Sequence, residues 1–468
     1  MKNKNIIMLV LILFAVEGCS TFAYFNEPLD PQKTDLTNNR AQFAIERDRG
    51  ADETLFILAL SGGGSRAAYF SSEVMLALQN ITVPDNNRNM LKSIDAISSV
   101  SGGSLPAAYY AISRDPEDDS KKVVSDRVWD RKTVEDIMSR NYIARWIGNW
   151  FWPDNIALYW ATAYDRSDIM GQTLADNMFD TSVAGTDLKF KDINPERPYI
   201  IINSTSGTSN NFGESFTFTN DDFQKLGSDI TNYHVFRAVM ASASFPAVFN
   251  YMTLFNYNHK GKGKEYLHVF DGGNFDNLGL DSTRKIISMK ENEKYKNVVV
   301  LLVDAFTRPQ GVPNYEYDAR SGVTYALDFN FLDSTDSLLK KVRQDSLAAM
   351  EQLVQTLEDS GKHAVFYHLS FSDVAHFKGE TAKVKEYDLA TEEYVMRDRP
   401  LIDVLNEIPT NFNISDEHRD AISKAVKLLI SPENNCVQEI QALLANKATG
   451  KNDLHCSWPT SDVSVAAK

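Results

Sequence analysis

The amino-acid sequence predicts an α/β fold built on a mainly parallel central sheet. Several short, continuous apolar runs are typical of strands that are covered on both faces. The first two runs are each followed by a tight turn of small residues and then by an apolar segment of helical length. With 468 residues, of which 43% are hydrophobic and 24% charged, the chain can also bury a large core. Strands that alternate with helices in this way indicate parallel pairing.

The predicted elements run in order along the chain. A first strand at 55–60 leads into a helix at 67–78, and a second strand, from residue 94, leads through a turn into a helix that extends to residue 110. The segment 205–222 is rich in Ser, Thr, Asn and Phe and is predicted to be a polar loop or short hairpin. Further strands are predicted at 199–204, 266–270, 297–303 and 364–369, and further helices at 234–240, at 338–357 and from the N-cap residue Ser415 onward.

The N-terminus has the pattern of a secretory targeting segment. Two lysines precede an uninterrupted apolar run at 6–16, which is too short to cross a bilayer. A small residue directly before Cys19 resembles the lipobox of bacterial lipoproteins. The resemblance implies that residues 1–18 are removed and that Cys19 is lipidated and anchors the protein in the bacterial envelope, with Ser20 favouring the outer membrane. The alternative is an ordinary cleaved signal peptide with a coincidental cysteine.

The three cysteines fit an oxidising compartment. If Cys19 is lipidated, Cys436 and Cys456 remain as an even pair. A disulfide between these two is predicted, and the alternative is that both are free and buried.

Composition and charge exclude several classes of partner. The net charge is −15 and no long basic run is present, so nucleic-acid binding is not expected and electrostatic attraction to anionic lipid is not favoured. The histidines are scattered and the cysteines few, so no metal site or other cofactor is expected. The sequence is silent on the oligomeric state.

The segment 114–180 differs from its surroundings in being rich in aromatic residues. It is predicted to be a helical insertion that caps the sheet, and counting Trp129 it contains five of the six tryptophans. Each ring can serve to pack the cap. The functional alternative is a hydrophobic wall for an acyl chain or a face that dips into a membrane interface. The concentrated rings are Trp146, Trp150, Phe151, Trp152, Tyr159 and Trp160.

The turn after the second strand has the features of a nucleophile elbow. Residues 99–103 read Ser-Val-Ser-Gly-Gly, which approximates G-x-S-x-G with a serine in place of the first glycine. A sharp bend would expose the Ser101 hydroxyl at the end of the sheet, and the following helix would direct its N-terminus to the same place. The alternative is an ordinary Ser/Gly turn between a strand and a helix.

Two further loops are predicted to meet Ser101. Gly62, Gly63 and Gly64 follow the first strand, and Asp271 follows the strand at 266–270. If all three strands are parallel, their carboxyl ends lie at one edge of the sheet, where sites form. Asp271 is then the candidate base for Ser101, its pKa raised by desolvation. Backbone N–H groups of the three glycines would stabilise the oxyanion of a tetrahedral intermediate.

These loops and strand ends also admit other assignments. The glycine loop lacks the lysine of a phosphate-binding P-loop. Asp304 also ends a strand and is a rival base, but no glycines open space beside it. His268 is three residues before Asp271 on one strand, so it faces the other side and is expected to be structural. A Ser–Asp–His triad is the remaining option, with His363, His368 and His376 as candidates.

Taken together, these segments resemble the patatin-like phospholipases over roughly residues 54–280. The resemblance implies a three-layer α/β sandwich and a Ser–Asp dyad hydrolase of lipid acyl esters, with the first glycine loop as oxyanion hole and Arg66 as a structural residue. Ser99 and Ala67 stand where the family often has glycine. The matching segments are residues 62–66, the Ser101 turn, the Ala- and Ser-rich stretch 241–249, and residues 271–273.

The expected organisation follows from this resemblance. A signal peptide at 1–18 and a tether at 19–52 would precede a catalytic domain at 53–310, and residues 311–468 would form an extension packed on it. The expected substrate is a lipid or other acyl ester, and the expected membrane contact is the N-terminal anchor. The alternative is a lipoprotein that binds lipid or a partner protein on the same scaffold without turnover.

Overall fold

The computed structural model describes ten segments of the chain, and all structural statements refer to these segments. The predicted signal peptide 1–18, Cys19, much of the predicted tether and Cys456 lie outside them. The segments are residues 23–30, 39–46, 53–84, 88–117, 123–181, 186–208, 212–246, 248–307, 330–388 and 393–446.

Within the described residues, the central sheet has eight strands, and their order in the sheet differs from their order in the chain. The order is β10-β9-β2-β3-β4-β8-β7, with β5 also paired to β4, and two short two-stranded sheets, β1-β6 and β11-β12, lie outside it. The strands are β1 Glu27–Pro28, β2 Thr54–Leu60, β3 Ala96–Val100, β4 Tyr199–Ser206, β5 Ser215–Phe218, β6 Ser228–Asp229, β7 Met252–Phe255, β8 Tyr266–Asp271, β9 Asn297–Asp304, β10 His363–Ser370, β11 Thr381–Asp388 and β12 Glu393–Pro400.

The sheet is mainly parallel, as predicted, but β8 runs the other way. Strands β10, β9, β2, β3 and β4 pair in parallel. Strand β8 pairs antiparallel with both β4 and β7. The expectation that Asp271 ends a parallel strand is therefore wrong. Strand β7 was not predicted from the sequence. It runs in the same direction as β4, and β8 turns back from it in a hairpin.

Helices flank the sheet on both faces. The bounds are α1 Gly64–Gln79, α2 Met90–Ser93, α3 Ser104–Ile112, α4 Arg131–Met138, α5 Tyr142–Trp150, α6 Pro153–Ala161, α7 Arg166–Leu174, α8 Asn220–Lys225, α9 Val235–Ser242, α10 Gly273–Asp276, α11 Leu280–Ser288, α12 Asn330–Asp359, α13 Leu401–Asn406, α14 Asp416–Leu429 and α15 Asn435–Leu444. Single turns of 3₁₀ or π helix occur at Ser101–Gly103, Ala175–Phe179, Phe190–Asp192, Lys290–Asn292 and Phe371–His376.

The two faces of β2 belong to two separate hydrophobic clusters. Phe56, Leu58 and Leu60 pack in the larger cluster with α1, α3 and α9. Leu55, Ile57 and Ala59 pack in the smaller one with residues of α11 and α12. Because side chains alternate along a strand, apolar residues at every position require cover on both sides. The strand is thus buried in the middle of a three-layer α/β sandwich.

Most predicted elements are confirmed within a few residues. The strands predicted at 55–60, 199–204, 297–303 and 364–369 are β2, β4, β9 and β10, each slightly longer than expected. The polar stretch at 205–222 contains β5, which turns back on β4. The closing helix α14 begins where expected, with the Ser415 hydroxyl accepting a hydrogen bond from the His418 N–H.

The aromatic-rich insertion contains helices α4 to α7. Trp129 is fully buried and packs against Tyr110 with ring centroids 4.8 Å apart, so this tryptophan is a core residue. Helix α6 has no buried residue at all. Among the described helices, none is both long enough and apolar enough to span a bilayer.

The C-terminal part packs on the same sheet. Strand β10 extends the sheet beyond β9, and α14 packs against α1. Cys436 is buried in α15 and unbonded within the described residues. Its predicted partner Cys456 lies outside them, so the disulfide stays a prediction. The boundaries 53–310 and 311–468 also stay predictions.

Candidate active site

Ser101 occupies a strained turn between β3 and α3. Its φ is +49°, a left-handed conformation that only one other described non-glycine residue, Asn446, adopts. Such a conformation costs free energy for a residue with a Cβ, and it is characteristic of a nucleophile on a sharp strand-to-helix turn. Ser99, by contrast, is ordinary extended strand, which explains why a serine is tolerated in place of the elbow glycine.

The Ser101 hydroxyl donates a hydrogen bond to the Asp271 carboxylate. The distance from Oγ to Oδ2 is 2.9 Å, and both side chains are buried. Sheet register accounts for the meeting, because Val100 pairs with Asn203 and Asp271 pairs with the next residue, Ser204. The turn after β3 and the end of β8 therefore lie at the same level of the sheet on either side of β4.

The surroundings of Asp271 make its carboxylate a stronger base than usual. Burial raises the pKa of the Asp271 carboxyl to about 6, although hydrogen bonds from the Gly273 N–H and the Ser101 hydroxyl act in the opposite direction. The Gly273 N–H donates to Oδ1 at 2.8 Å, which leaves Oδ2 directed at Ser101. A base with a pKa near the working pH is well suited to accept a proton during nucleophilic attack.

Ser242 fixes the backbone of the elbow. Its Oγ accepts a hydrogen bond from the Ser101 N–H at 2.9 Å and donates one to the Asn203 carbonyl at 2.6 Å. Ser104 Oγ lies 3.1 Å from the same hydroxyl. Ser242 lies in the Ala- and Ser-rich stretch 241–249, but no role was predicted for it from the sequence.

The glycine loop supplies fewer free N–H groups than predicted. The Gly62 N–H donates to the Asn277 carbonyl at 2.9 Å, so its predicted place in the oxyanion hole is corrected. Gly63 and Gly64 have φ values of +137° and +58°. Within the described part of the chain, no hydrogen-bond acceptor contacts the N–H of Gly63 or of Gly64. These two groups stay available for an oxyanion.

Close backbone contacts explain why glycine is needed beside Ser101. A Cβ on Gly102 would lie 2.0 Å from the carbonyl oxygen of Gly64, and a Cβ on Gly64 would lie 2.3 Å from that of Asn411. The loop is thus pressed against the first turn after Ser101. The Gly102 N–H also has no acceptor among the described residues. It is a third candidate donor, at the N-terminal end of the helical segment that leads into α3.

A small apolar cavity lies beside Ser101. Its volume is about 30 Å³, which is room for about one water molecule. Ser101, Gly64 and Gly102 form its polar end. The remaining wall is mostly apolar and includes Leu105, Met138, Tyr142, Met170, Leu174, Met240 and Phe412.

The rival base Asp304 is part of an ion pair. Its carboxylate binds Arg343 and, at 2.9 Å, the Nε2 atom of His368. Burial disfavours the charged carboxylate, but the hydrogen bonds and charges of His368 and Arg343 outweigh that effect and hold its pKa at about 2. A carboxylate this acidic is a poor base. His368, one of the histidines considered for a triad, is therefore a partner of Asp304.

The described structure does not favour a histidine triad. No histidine among the described residues hydrogen-bonds to Ser101 or Asp271. His363 lies beside Glu358 and Glu439. His268 contacts Thr253 and lines a groove on the other face of β8, as its position on the strand predicted.

Residues far along the chain complete the site. The Asn411 carbonyl accepts the Ser65 N–H at 2.7 Å, and Phe412 lines the cavity at Ser101. Arg66 donates to the Ile408 carbonyl at 2.5 Å and so ties the glycine loop to the same segment, in line with the structural role expected for it. No motif in the sequence marks residues 408–412. Among the described residues, no group of three or more His, Cys, Asp or Glu side chains is arranged to hold a metal ion.

Part of the chain, including most of the candidate site, matches a known protein family. Residues 58–284 match the family model described as "Patatin-like phospholipase", and both Ser101 and Asp271 lie within the match. No curated protein sequence matches the chain significantly.

Solved structures of human GIVD cytosolic phospholipase A2 are distantly similar to the chain. One has 10% sequence identity and a TM-score of 0.44 and covers 86% of this chain and 62% of its own. A complex of the same protein with a fluorophosphonate inhibitor has 11% identity and a TM-score of 0.42, with coverages of 90% and 66%. This chain therefore spans slightly less than two thirds of the length of these structures.

Proposed function

We propose that the protein is a serine acyl-ester hydrolase that acts on lipids, of phospholipase or lysophospholipase type, because residues 58–284 match the family model of the patatin-like phospholipases. The observation that supports this most directly is the 2.9 Å hydrogen bond from Ser101 to a buried carboxylate whose pKa is raised to about 6. The apolar wall beside Ser101 suits an acyl chain.

The proposed reaction has two halves. Ser101 Oγ attacks the ester carbonyl carbon while Asp271 Oδ2 accepts the hydroxyl proton. The tetrahedral intermediate collapses, the alcohol leaves with that proton, and the acyl group stays on Ser101. A water molecule then gives its proton to Asp271 and attacks the acyl-enzyme, which releases the fatty acid and restores the Ser101 hydroxyl.

The N–H groups around Ser101 would stabilise the charge that develops on the carbonyl oxygen. Gly63, Gly64 and Gly102 provide the donors in this proposal. Loss of one such donor typically lowers the rate by roughly 10²- to 10³-fold. The non-catalytic alternative is not favoured, because both reacting groups are present and in contact.

Hydrolysis of a dissolved ester tests the proposal. Ser101→Ala should abolish turnover of p-nitrophenyl butyrate without changing the circular dichroism spectrum. Ser99→Ala is the matched control, because among the described residues the Ser99 hydroxyl hydrogen-bonds only to the Ile201 carbonyl, at 3.3 Å, and turnover of this variant should stay near wild type. Full activity in Ser101→Ala would refute the assignment.

We also propose that the protein is a lipoprotein of the bacterial envelope, anchored through Cys19. The support is the sequence pattern around this residue. Incorporation of labelled palmitate into the wild-type chain, and its absence in Cys19→Ser, would support the anchor. Equal labelling of both chains would refute it.

A further inference from the structure

Helices α5 and α6 form a hairpin, residues 142–161, with an unusually apolar outer surface. Phe151 and Trp152 join the two helices and are 72% and 64% exposed. Trp160, near the end of α6, is 81% exposed. The hairpin holds five of the ten large apolar side chains that the described residues expose: Ile147, Phe151, Trp152, Ile156 and Trp160. Such a concentration marks an interaction surface.

The charges of the hairpin indicate the kind of surface it fits. Arg145 and Asp154 are its only charged residues, so its net charge is zero. The whole chain carries −15, which opposes approach to an anionic bilayer. Exposed tryptophan and phenylalanine rings with few charges suit the boundary between lipid headgroups and acyl chains. A zwitterionic lipid surface is complementary to this hairpin.

A continuous row of aromatic rings connects the hairpin to the catalytic cavity. Neighbouring ring centroids in this row are 5.1 to 5.7 Å apart. The last ring, Phe412, lines the cavity at Ser101. The row runs from Trp160 through Tyr159, Trp150, Trp146 and Phe249 to Phe412.

The cavity at Ser101 is too small for an acyl chain in its present form. With about 30 Å³ free, the cavity cannot admit an acyl chain unless its lining side chains move. Trp146 is only partly buried and contacts Phe249, which in turn contacts Phe412. Packed rings therefore link the hairpin to the wall of the cavity.

We propose that the α5–α6 hairpin docks on the surface of a zwitterionic lipid layer and that the ring row is the path by which an acyl chain reaches Ser101. This inference rests on the proposed lipid hydrolase function and adds the partner surface. A second copy of the chain is the competing occupant of the hairpin, and the experiment below distinguishes the two.

The experiment compares two exposed apolar pairs in the chain from residue 19 onward with Cys19→Ser, so that no lipid anchor contributes. The hairpin variant is Phe151→Ser/Trp152→Ser. The matched control is Tyr394→Ser/Met396→Ser on β12, where the side chains are 65% and 58% exposed. Flotation with phosphatidylcholine vesicles should show at least a roughly tenfold weaker partition for the hairpin variant and no change for the control.

Two rates separate docking from chemistry. Hydrolysis of phosphatidylcholine in vesicles should fall with the partition, while hydrolysis of dissolved p-nitrophenyl butyrate should be unchanged in both variants. Equal flotation of the hairpin variant and the unsubstituted chain would overturn the docking proposal and leave the proposed function standing. A hairpin variant that turns a dimer into a monomer, with no vesicle binding by the parent, would also overturn it.

Failure of the proposed function has a different signature. Flotation that depends on Phe151 and Trp152 in a chain that hydrolyses neither ester would support docking and refute the hydrolase. The measurements of partition and of dissolved-ester turnover thus report on the two proposals independently.

Discussion

At the scale of single residues, the proposed chemistry depends on the burial of Asp271. Its carboxyl has a raised pKa of about 6, so the group is ionised at neutral pH but still basic enough to accept a proton from Ser101. Asp304 has the opposite surroundings and a pKa of about 2. Asp271 and Asp304 are both buried at the ends of strands of the same sheet, with three strands between them, and only Asp271 has the pKa of a suitable base.

The activity should depend on pH through Asp271. The rate constant kcat/KM for a dissolved ester should rise as pH increases through about 6 and level off above it, because only the ionised carboxylate accepts the Ser101 proton. A pH–rate profile of the wild-type protein measures this directly. A profile that is flat from pH about 4 to 8 would contradict the assignment of Asp271 as the base.

Asp271→Asn should inactivate the protein yet stabilise it. Because the folded state holds a proton on Asp271 more readily than the unfolded state, the free energy of unfolding falls as pH rises from about 4 to about 6. With a raised pKa of about 6, the free energy of unfolding of the wild type falls by about 3 kcal/mol over this range, at ~1.4 kcal/mol per pH unit. Asparagine does not ionise, so the free energy of unfolding of the variant does not fall in this way.

Urea unfolding at two pH values checks this prediction. The variant should be more stable than wild type at pH about 8, and the difference should vanish near pH 3, where both states of the wild-type carboxyl are protonated. A variant that is less stable at the higher pH would show that the charged carboxylate is stabilised rather than strained in the fold.

At the scale of elements, the glycine loop is held by the segment that contains Asn411. Gly64→Ala places a Cβ 2.3 Å from the Asn411 carbonyl oxygen at a φ of +58°, so the loop must shift and the oxyanion donors move with it. The expected loss of turnover is at least roughly 10²-fold. Gly148→Ala in α5 is the control, because no described residue outside this helix has an atom within 4 Å of a Cβ placed there.

Dissolved-ester kinetics together with thermal melts check the loop prediction. Gly148→Ala should keep full turnover and gain a little stability, since alanine favours the helix by up to ~1 kcal/mol over glycine. Turnover in Gly64→Ala equal to wild type would mean that the loop takes no part in catalysis.

The Ser101 turn should also depend on Ser242. Ser242→Ala leaves the Ser101 N–H without its buried acceptor, which costs about 1–3 kcal/mol of stability and loosens the elbow. The reduction should appear in kcat more than in KM, because the substrate wall is untouched. Ser244→Ala is the control, because the Ser244 hydroxyl hydrogen-bonds only to the Met240 carbonyl within the described segments. Equal kcat losses in the two variants would argue against a specific role for Ser242.

Some elements could be predicted from the sequence because their signals are local. The apolar run at 55–60 and the Ser/Gly turn at residues 99–103 specify a strand and a bend by themselves. The direction of β8 was not predictable in the same way, because it depends on the hairpin with β7, a short strand with weak alternation. The convergence of Ser101 and Asp271 was expected from parallel strands, whereas the structure achieves it by register with β4.

At the scale of the whole molecule, the C-terminal part completes a site whose proposed reacting groups lie in the first 271 residues. Asn411 and Phe412 reach the glycine loop and the cavity, and β10 adds a strand beside β9. No sequence motif predicts such contacts, because a backbone carbonyl or a single phenylalanine contributes only through its position in the fold. The contacts of Ser242 with the Ser101 N–H and of Asn277 with the Gly62 N–H were not predicted for the same reason.

The ion pair of Asp304 should matter for stability rather than chemistry. Asp304→Asn leaves Arg343 buried without its full partner, which typically costs about 3–5 kcal/mol, and the thermal midpoint should fall. The pH profile of dissolved-ester hydrolysis by the folded protein should keep its inflection near 6, set by Asp271. An inflection that disappears in Asp304→Asn would instead make Asp304 the base.

The most direct test of the Ser101–Asp271 pair is covalent labelling by a fluorophosphonate, followed by peptide mass mapping. The wild-type protein should acquire one label, on Ser101, and Asp271→Asn should react at least roughly 10²-fold more slowly because the base is missing. A label on another residue, or an Asp271→Asn variant that reacts as fast as the wild type, would contradict the pairing of Ser101 and Asp271.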